Sequence, residues 1–252
     1  MIGFVVKTAV LWLFFFAIPA SAQTCRQALV LGLDVSLSVN SIDFNLQREG
    51  LARALTDDAV VAALLSAPGD HVELAIFDWS GQSHQTLLVD WTVINSGRKL
   101  ATIAMILRES SQGNHPGRTG LGASMLYARD LLSTRGHCTN WTLDISGDGP
   151  NNNGVLPELA RNELDAVGIV VNALVIGTDK PNVEFGEFHV SQLARYFRDN
   201  VIVGPSAFVE TIIGFDHYAV AIKRKLLREL SPSFVRNSPR TGEASLVKIS
   251  TR

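Results

Sequence analysis

Two spacings of apolar residues alternate along this chain. The segments 27–34, 71–79, 141–146 and 169–177 are short and almost wholly apolar, the pattern of strands buried on both faces of a parallel sheet. Between them, residues 42–65, 97–109, 121–134, 155–167 and 186–197 carry apolar positions at helical spacing. Residues 80–84, Ser-Gly-Gln-Ser-His, separate the strand at 71–79 from a second one at 85–94, so these two form a hairpin and one of them runs antiparallel to its neighbour. A short strand is expected at 200–204 and a closing helix with an irregular start at 207–230. Strands that alternate with helices predict a doubly wound α/β fold, a mainly parallel six-stranded sheet with helices on both faces.

The amino terminus adds a different pattern. Lys7, an apolar block at 9–18 and the small residues Ala20-Ser21-Ala22 read as a secretory signal peptide spanning 1–22 and cleaved after Ala22. The block is too short to span a bilayer, and no transmembrane segment is expected after it, which leads to a secreted or periplasmic protein. Cleavage leaves 230 residues, enough for one sizeable core, with 21 basic and 24 acidic side chains. Such a balance argues against nucleic acid as a partner. The one basic cluster, Lys223, Arg224, Lys225 and Arg228, reads as a solvated helix face.

Candidate chemistry gathers where strands should end. The first strand runs into Asp34-Val-Ser36-Leu-Ser38, Thr119 lies between glycines in the loop before the third helix, and Asp148 follows the strand at 141–146. Ligands of open α/β sheets bind outside the carboxyl ends of the strands. Two carboxylates and three hydroxyls there suit a hard divalent cation, Mg²⁺ above all, with Mn²⁺ or Ca²⁺ as alternatives. Taken alone, the first loop is equally a capped strand end, its oxygens bonded to loop amides.

This set, in this order, resembles the metal-ion-dependent adhesion site of von Willebrand factor A-like domains, and the whole chain is similar to secreted bacterial members of that type. The resemblance covers about residues 27–230. It implies sheet order 3-2-1-4-5-6 with strand 3 antiparallel; one domain is expected over 23–232, and the Pro, Ser and Asn that dominate from Ser231 onward read as a flexible tail over 233–252. It implies also that Asp34, Ser36, Ser38, Thr119 and Asp148 hold the cation, and that a protein partner supplies an acidic group to it. One position departs from the pattern, Gly147, where the family has threonine or serine.

Further residues have two readings each. Asp144 and Ser146 share a strand face with Asp148, so Asp144 either orients the first-loop hydroxyls from behind or is a paired structural carboxylate. Asp78 and Trp79 end the second strand, where they either touch a ligand at the rim or pack over the hairpin. His115 shares the loop of Thr119, where it either joins the site at its rim or is simply a solvated loop histidine. Cys25 precedes Asp34 by nine residues and Cys138 precedes Asp148 by ten; with strands 1 and 4 adjacent and in register, the two meet as a disulfide, the alternative being two free thiols. The functional expectation is a cation-dependent binding module without catalytic residues. A metal-assisted hydrolase using the same oxygens is the alternative.

Overall fold

In the computed structural model, which describes residues 24–66, 69–113, 117–182 and 187–231, six strands form one sheet in the order β3-β2-β1-β4-β5-β6. The expected signal peptide at 1–22 and tail at 233–252 lie outside the described residues. At the centre is β1 (Thr24–Asp34), which pairs in parallel with β2 (Asp70–Trp79) on one side and β4 (Asn140–Gly147) on the other. β5 (Ile169–Gly177) and β6 (Val209–Ile213) continue in parallel beyond β4. The hairpin partner β3 (Gln85–Ile94) is antiparallel to β2.

Alternation of side chains along β1 splits the core in two. Leu29, Leu31 and Leu33 face α1 (Ser41–Leu55), α2 (Asp58–Leu65), α3 (Gly97–Glu109) and α7 (Tyr218–Glu229), whereas Ala28 and Val30 face α4 (Leu121–Ser133), α5 (Pro157–Ala166) and α6 (Val190–Asn200). Each buried leucine contributes roughly 1.5–3 kcal/mol, so this double cover is what holds the sheet between two helical layers.

Three elements differ from the sequence expectation. The helix expected at 42–65 is two helices, because Asp57 leaves the helical path and caps the second, its carboxylate accepting from the Ala59 amide at 3.0 Å. The strand expected at 200–204 is absent: α6 runs to Asn200, and Val203 makes only an isolated antiparallel bridge with Val171. The sixth strand is instead Val209–Ile213, taken from the segment expected to begin a helix. Gly214, at φ 67°, breaks that segment, and a 3₁₀ turn at Phe215–His217 leads into α7.

The basic cluster on α7 is not uniformly solvated either. Lys225 is fully buried, its ammonium 2.5 Å from Asp144 and 2.7 Å from Glu229. Asn172 donates to the same Glu229 oxygen at 2.8 Å. The α7-facing side of β4 is therefore polar, with Thr142, Asp144 and Ser146 in place of the leucines that line this face of β1. Ser146 pairs with the Tyr218 hydroxyl at 3.1 Å, and Thr142 with Gln27 at 3.0 Å.

Candidate metal centre

Three loops meet above the carboxyl ends of β1 and β4. The first, residues 35–40, is pinned by Val35 and Val39, both buried, which leaves Ser36 and Ser38 toward the loop cluster and Leu37 outside, 80% exposed. Asn40 ends this loop by capping α1, accepting from the Ile42 and Asp43 amides at 2.8 and 3.1 Å. Gln47 of α1 reaches back to the Asp34 carbonyl at 3.2 Å and holds the strand end in place.

The two oxygens of Asp34 have different surroundings. Oδ1 accepts from the Ser36 amide at 2.8 Å, which is the loop-capping bond an isolated Asp-x-Ser would make. Oδ2 is buried and has no hydrogen-bond partner of ordinary geometry among the described residues. The hydroxyls of Ser36 and Ser38 lie 3.3 Å apart, and Ser38 donates to Asp148 Oδ1 at 2.8 Å, so the first and third loops already touch. Burial first, and the charge of Asp148 second, push the Asp34 carboxyl well above the usual carboxylate range, more than the bonds from Ser36 and the Asp148 amide offset. Burial likewise pushes Asp148 up to about 6, against the Ser38 hydrogen bond.

Thr119 is brought to the same place by the third loop. Asn152 accepts from the Thr119 amide at 2.8 Å through its side chain, donates from Nδ2 toward the Thr119 hydroxyl at 3.4 Å, and donates from its own amide to the Thr119 carbonyl at 2.9 Å. Its neighbours do similar work elsewhere: Asn151 accepts from the Gly122 amide at 3.3 Å and Asn153 from the Gln82 amide at 2.7 Å. Each of three successive asparagines thus ties the Asp148 loop to a separate backbone amide. The sequence pattern of 147–154 reads only as a turn; the run of three side-chain amides is the available signal for this role.

Gly147 and Gly149 explain the departure from the family pattern. A Cβ at Gly147 would stand 3.0 Å from the Phe197 ring, which would have to give by a few tenths of an ångström, and in ordinary contact with Asp34 Oδ2 at 3.5 Å, so the position is tight for the usual hydroxyl residue. Gly149 opens toward the second loop, where an added Cβ would lie 4.0 Å from the Thr119 hydroxyl.

The remaining candidates lie elsewhere. Asp144 and Ser146 contact Lys225 and Tyr218 on α7 rather than the first-loop hydroxyls, because period two directs them to the α7 side of β4, below the loops. Trp79 is fully buried and packs in the core facing α4, and Asp78 is buried in an ion pair with Arg48 of α1; neither reaches the rim. His115 lies outside the described residues. At the far end of the sheet, Cys25 and Cys138 form a disulfide with Cα atoms 4.5 Å apart, as the register of β1 on β4 requires.

The donor set suits a cation by its own chemistry. The charge of one buried carboxylate, Asp148, raises the proton affinity of the other, Asp34. Asp34 Oδ2 has no hydrogen bond of ordinary geometry among the described residues. The Ser38 hydroxyl bonds Asp148 with that of Ser36 beside it, and Thr119 is held against the Asp148 loop by Asn152. A divalent ion bound through oxygen fits such a set.

Comparison with known proteins agrees with the architecture. Proximal thread matrix protein 1 from the mussel byssus is 18% identical with a TM-score of 0.58, over 82% of this chain and 46% of that one. A structure of the same protein with a zinc-occupied adhesion-site motif is 14% identical at TM-score 0.56, over 83% of this chain and 48% of that one. A von Willebrand factor type A protein from Catenulispora acidiphila is 13% identical at TM-score 0.57, over 83% and 43%. This chain therefore spans less than half the length of these neighbours. No curated protein matches it. The model of the family described as "Protein of unknown function (DUF1194)" matches residues 24–234, so the chain belongs to that family, and its fold is that of von Willebrand factor A domains.

Proposed function

We propose that this domain is a secreted or periplasmic binding module that engages a protein through a divalent cation, Mg²⁺ with Mn²⁺ or Ca²⁺ as substitutes. Asp34, Ser36, Ser38, Thr119 and Asp148 would hold the ion. When bound, it would offer a positively charged centre with an open position for a carboxylate oxygen of the partner. The observation that carries this reading is the buried Asp34 Oδ2, which has no hydrogen bond of ordinary geometry among the described residues and whose carboxylate stands beside that of Asp148. A buried carboxylate oxygen without a donor is costly, and a cation removes that cost.

The surface around the loops supports a macromolecular partner. Leu37 and Ile42, on the first loop and the start of α1, are 80% and 69% exposed, and Leu156 before α5 is 56% exposed. Apolar side chains on loops beside a charged centre are the usual make-up of a protein interface, an apolar core with polar anchors. A zinc-occupied motif in the mussel protein supports a metal-binding role for this fold. Among the described residues, no helix is long and apolar enough to cross a membrane. Hydroxyl-rich donors favour binding over hydrolysis, whose metal sites carry more carboxylates or imidazoles.

A displayed peptide library screened on the immobilised protein, in Mg²⁺ and again in chelator, tests the reading. The expected result is enrichment of Asp- or Glu-bearing sequences that require Mg²⁺ and vanish with Asp148→Ala. Enrichment indifferent to Mg²⁺ and to Asp148 would overturn it, and Mg²⁺-dependent cleavage of the peptides would favour the hydrolase.

A further inference from the structure

The opposite end of the sheet carries a second group of metal-binding atoms. Cys25 at the start of β1, Glu73 on β2, and His137 and Cys138 in the turn before β4 each offer one ligand atom, all within 4.8 Å of one another. Glu73 is buried, and its Oε1 lies 2.7 Å from His137 Nε2 and 3.3 Å from His71 Nε2. Its other oxygen accepts from Arg135 at 3.2 Å. The His137 side chain is 56% exposed, so one side of the group opens to solvent.

We propose that reduction of the Cys25–Cys138 disulfide converts this group into a zinc site with Cys25, Cys138, His137 and Glu73 as ligands. Zinc and the disulfide are then alternative links between β1 and the turn before β4, zinc reaching Glu73 of β2 as well. Two sulfurs, one imidazole and one carboxylate are a donor set for tetrahedral zinc, whose ligand atoms stand about 3.3–3.8 Å apart for bond lengths of about 2.0–2.3 Å. The imidazole and carboxylate already approach that spacing, and the sulfurs separate to it by side-chain rotation once their bond is broken. Charge also balances: two thiolates and one carboxylate are neutralised by Zn²⁺ and Arg135. Arg135, on the Glu73 oxygen that zinc does not need, would orient the ligand from behind.

The chemistry is complete with an external thiol or phosphine as reductant. It supplies two electrons, the S–S bond breaks and each sulfur takes up a proton; two reductant thiols give these protons and end as their own disulfide, or water gives them and its oxygen to the phosphine, which ends as the phosphine oxide. Zinc binding then releases both thiol protons to solvent.

Cobalt(II) reports the site directly, because thiolate ligation gives a charge-transfer band that oxygen ligands do not. The experiment uses the Asp34→Ala protein, so that the loop site at the other end of the sheet does not contribute. After phosphine reduction, one equivalent of Co²⁺ should produce the thiolate band, Zn²⁺ should displace it, and zinc should raise the melting temperature of the reduced form but not of the disulfide form. His137→Ala, at an exposed position, should weaken binding by no less than the roughly 10–100-fold typical of outer-shell partners. No thiolate band in the reduced protein, or a band with unchanged affinity in His137→Ala, would overturn the proposal.

Discussion

Replacing Glu229 by glutamine should make the protein more stable than the wild type at pH 8 and leave it nearly unchanged at pH 5. Lys225 is one ammonium placed between two carboxylates, Asp144 and Glu229, and all three are buried. One positive charge balances one of them. Burial first, then the charge of Asp144, push the Glu229 carboxyl up to about 8, more than Lys225 lowers it. Its ordinary value is 4.5, so between those two values the folded protein keeps a proton that the unfolded chain releases. The contribution is full below 4.5, declines as pH rises, and is gone above about 8. At about 1.4 kcal/mol per unit the window is worth on the order of a few kcal/mol. The glutamine amide in Glu229→Gln would keep the hydrogen bonds from Lys225 and Asn172 without the proton, so this decline disappears. Urea unfolding of both proteins at pH 5, 6.5 and 8 measures it. Taking variant minus wild type cancels other titrating groups, Asp148 among them. A difference that does not grow with pH, or grows with the opposite sign, would refute the reasoning. Lys225→Met is the counterpart: it strips the buried carboxylates of their cation and should cost about 3–5 kcal/mol, a urea midpoint lower by roughly 1–2 M.

Asn152→Ala should weaken Mg²⁺ binding by about tenfold or more, since Thr119 loses the side chain that fixes it. It should also lower stability by about 1–3 kcal/mol for the amide left without a partner, measured by calorimetry and thermal melting together. Gly122→Ala should be more damaging, because its Cβ would stand 2.2 Å from the Val155 carbonyl and force the Asp148 loop away from α4; circular dichroism melting and metal titration should both register the loss. Reduction of the Cys25–Cys138 disulfide, which spans 113 residues, should in metal-free buffer remove about 2–5 kcal/mol and lower the melting temperature by about 5–15 °C.

The strands of the sheet interior were legible because β1, β2, β4 and β5 are buried on both faces and so are apolar with little interruption. The edge strand β6 was not. Five residues at a sheet edge, most of them half-buried or exposed, carry little pattern, and the helical spacing of α7 follows them closely. Lys225 looked like one of several surface cations, since its burial depends on Asp144, which lies 81 positions earlier and across the core. The three loops could be named from the chain order of Asp34, Thr119 and Asp148. What joins them could not, because the bonds of Asn151, Asn152 and Asn153 run between loops and leave no periodicity. The disulfide was legible for the opposite reason: once β1 and β4 are neighbours in register, nearly equal distances behind Asp34 and Asp148 bring the cysteines together.

Whether Asp34 belongs to a cation site decides the proposed function. Isothermal titration of the disulfide-bonded protein with Mg²⁺, beside the same titration of Asp34→Ala checked for native circular dichroism, measures this directly. One saturable site in the wild type, absent in Asp34→Ala, is the expected result. No Mg²⁺ binding at millimolar concentration, or binding that Asp34→Ala leaves unchanged, would contradict it.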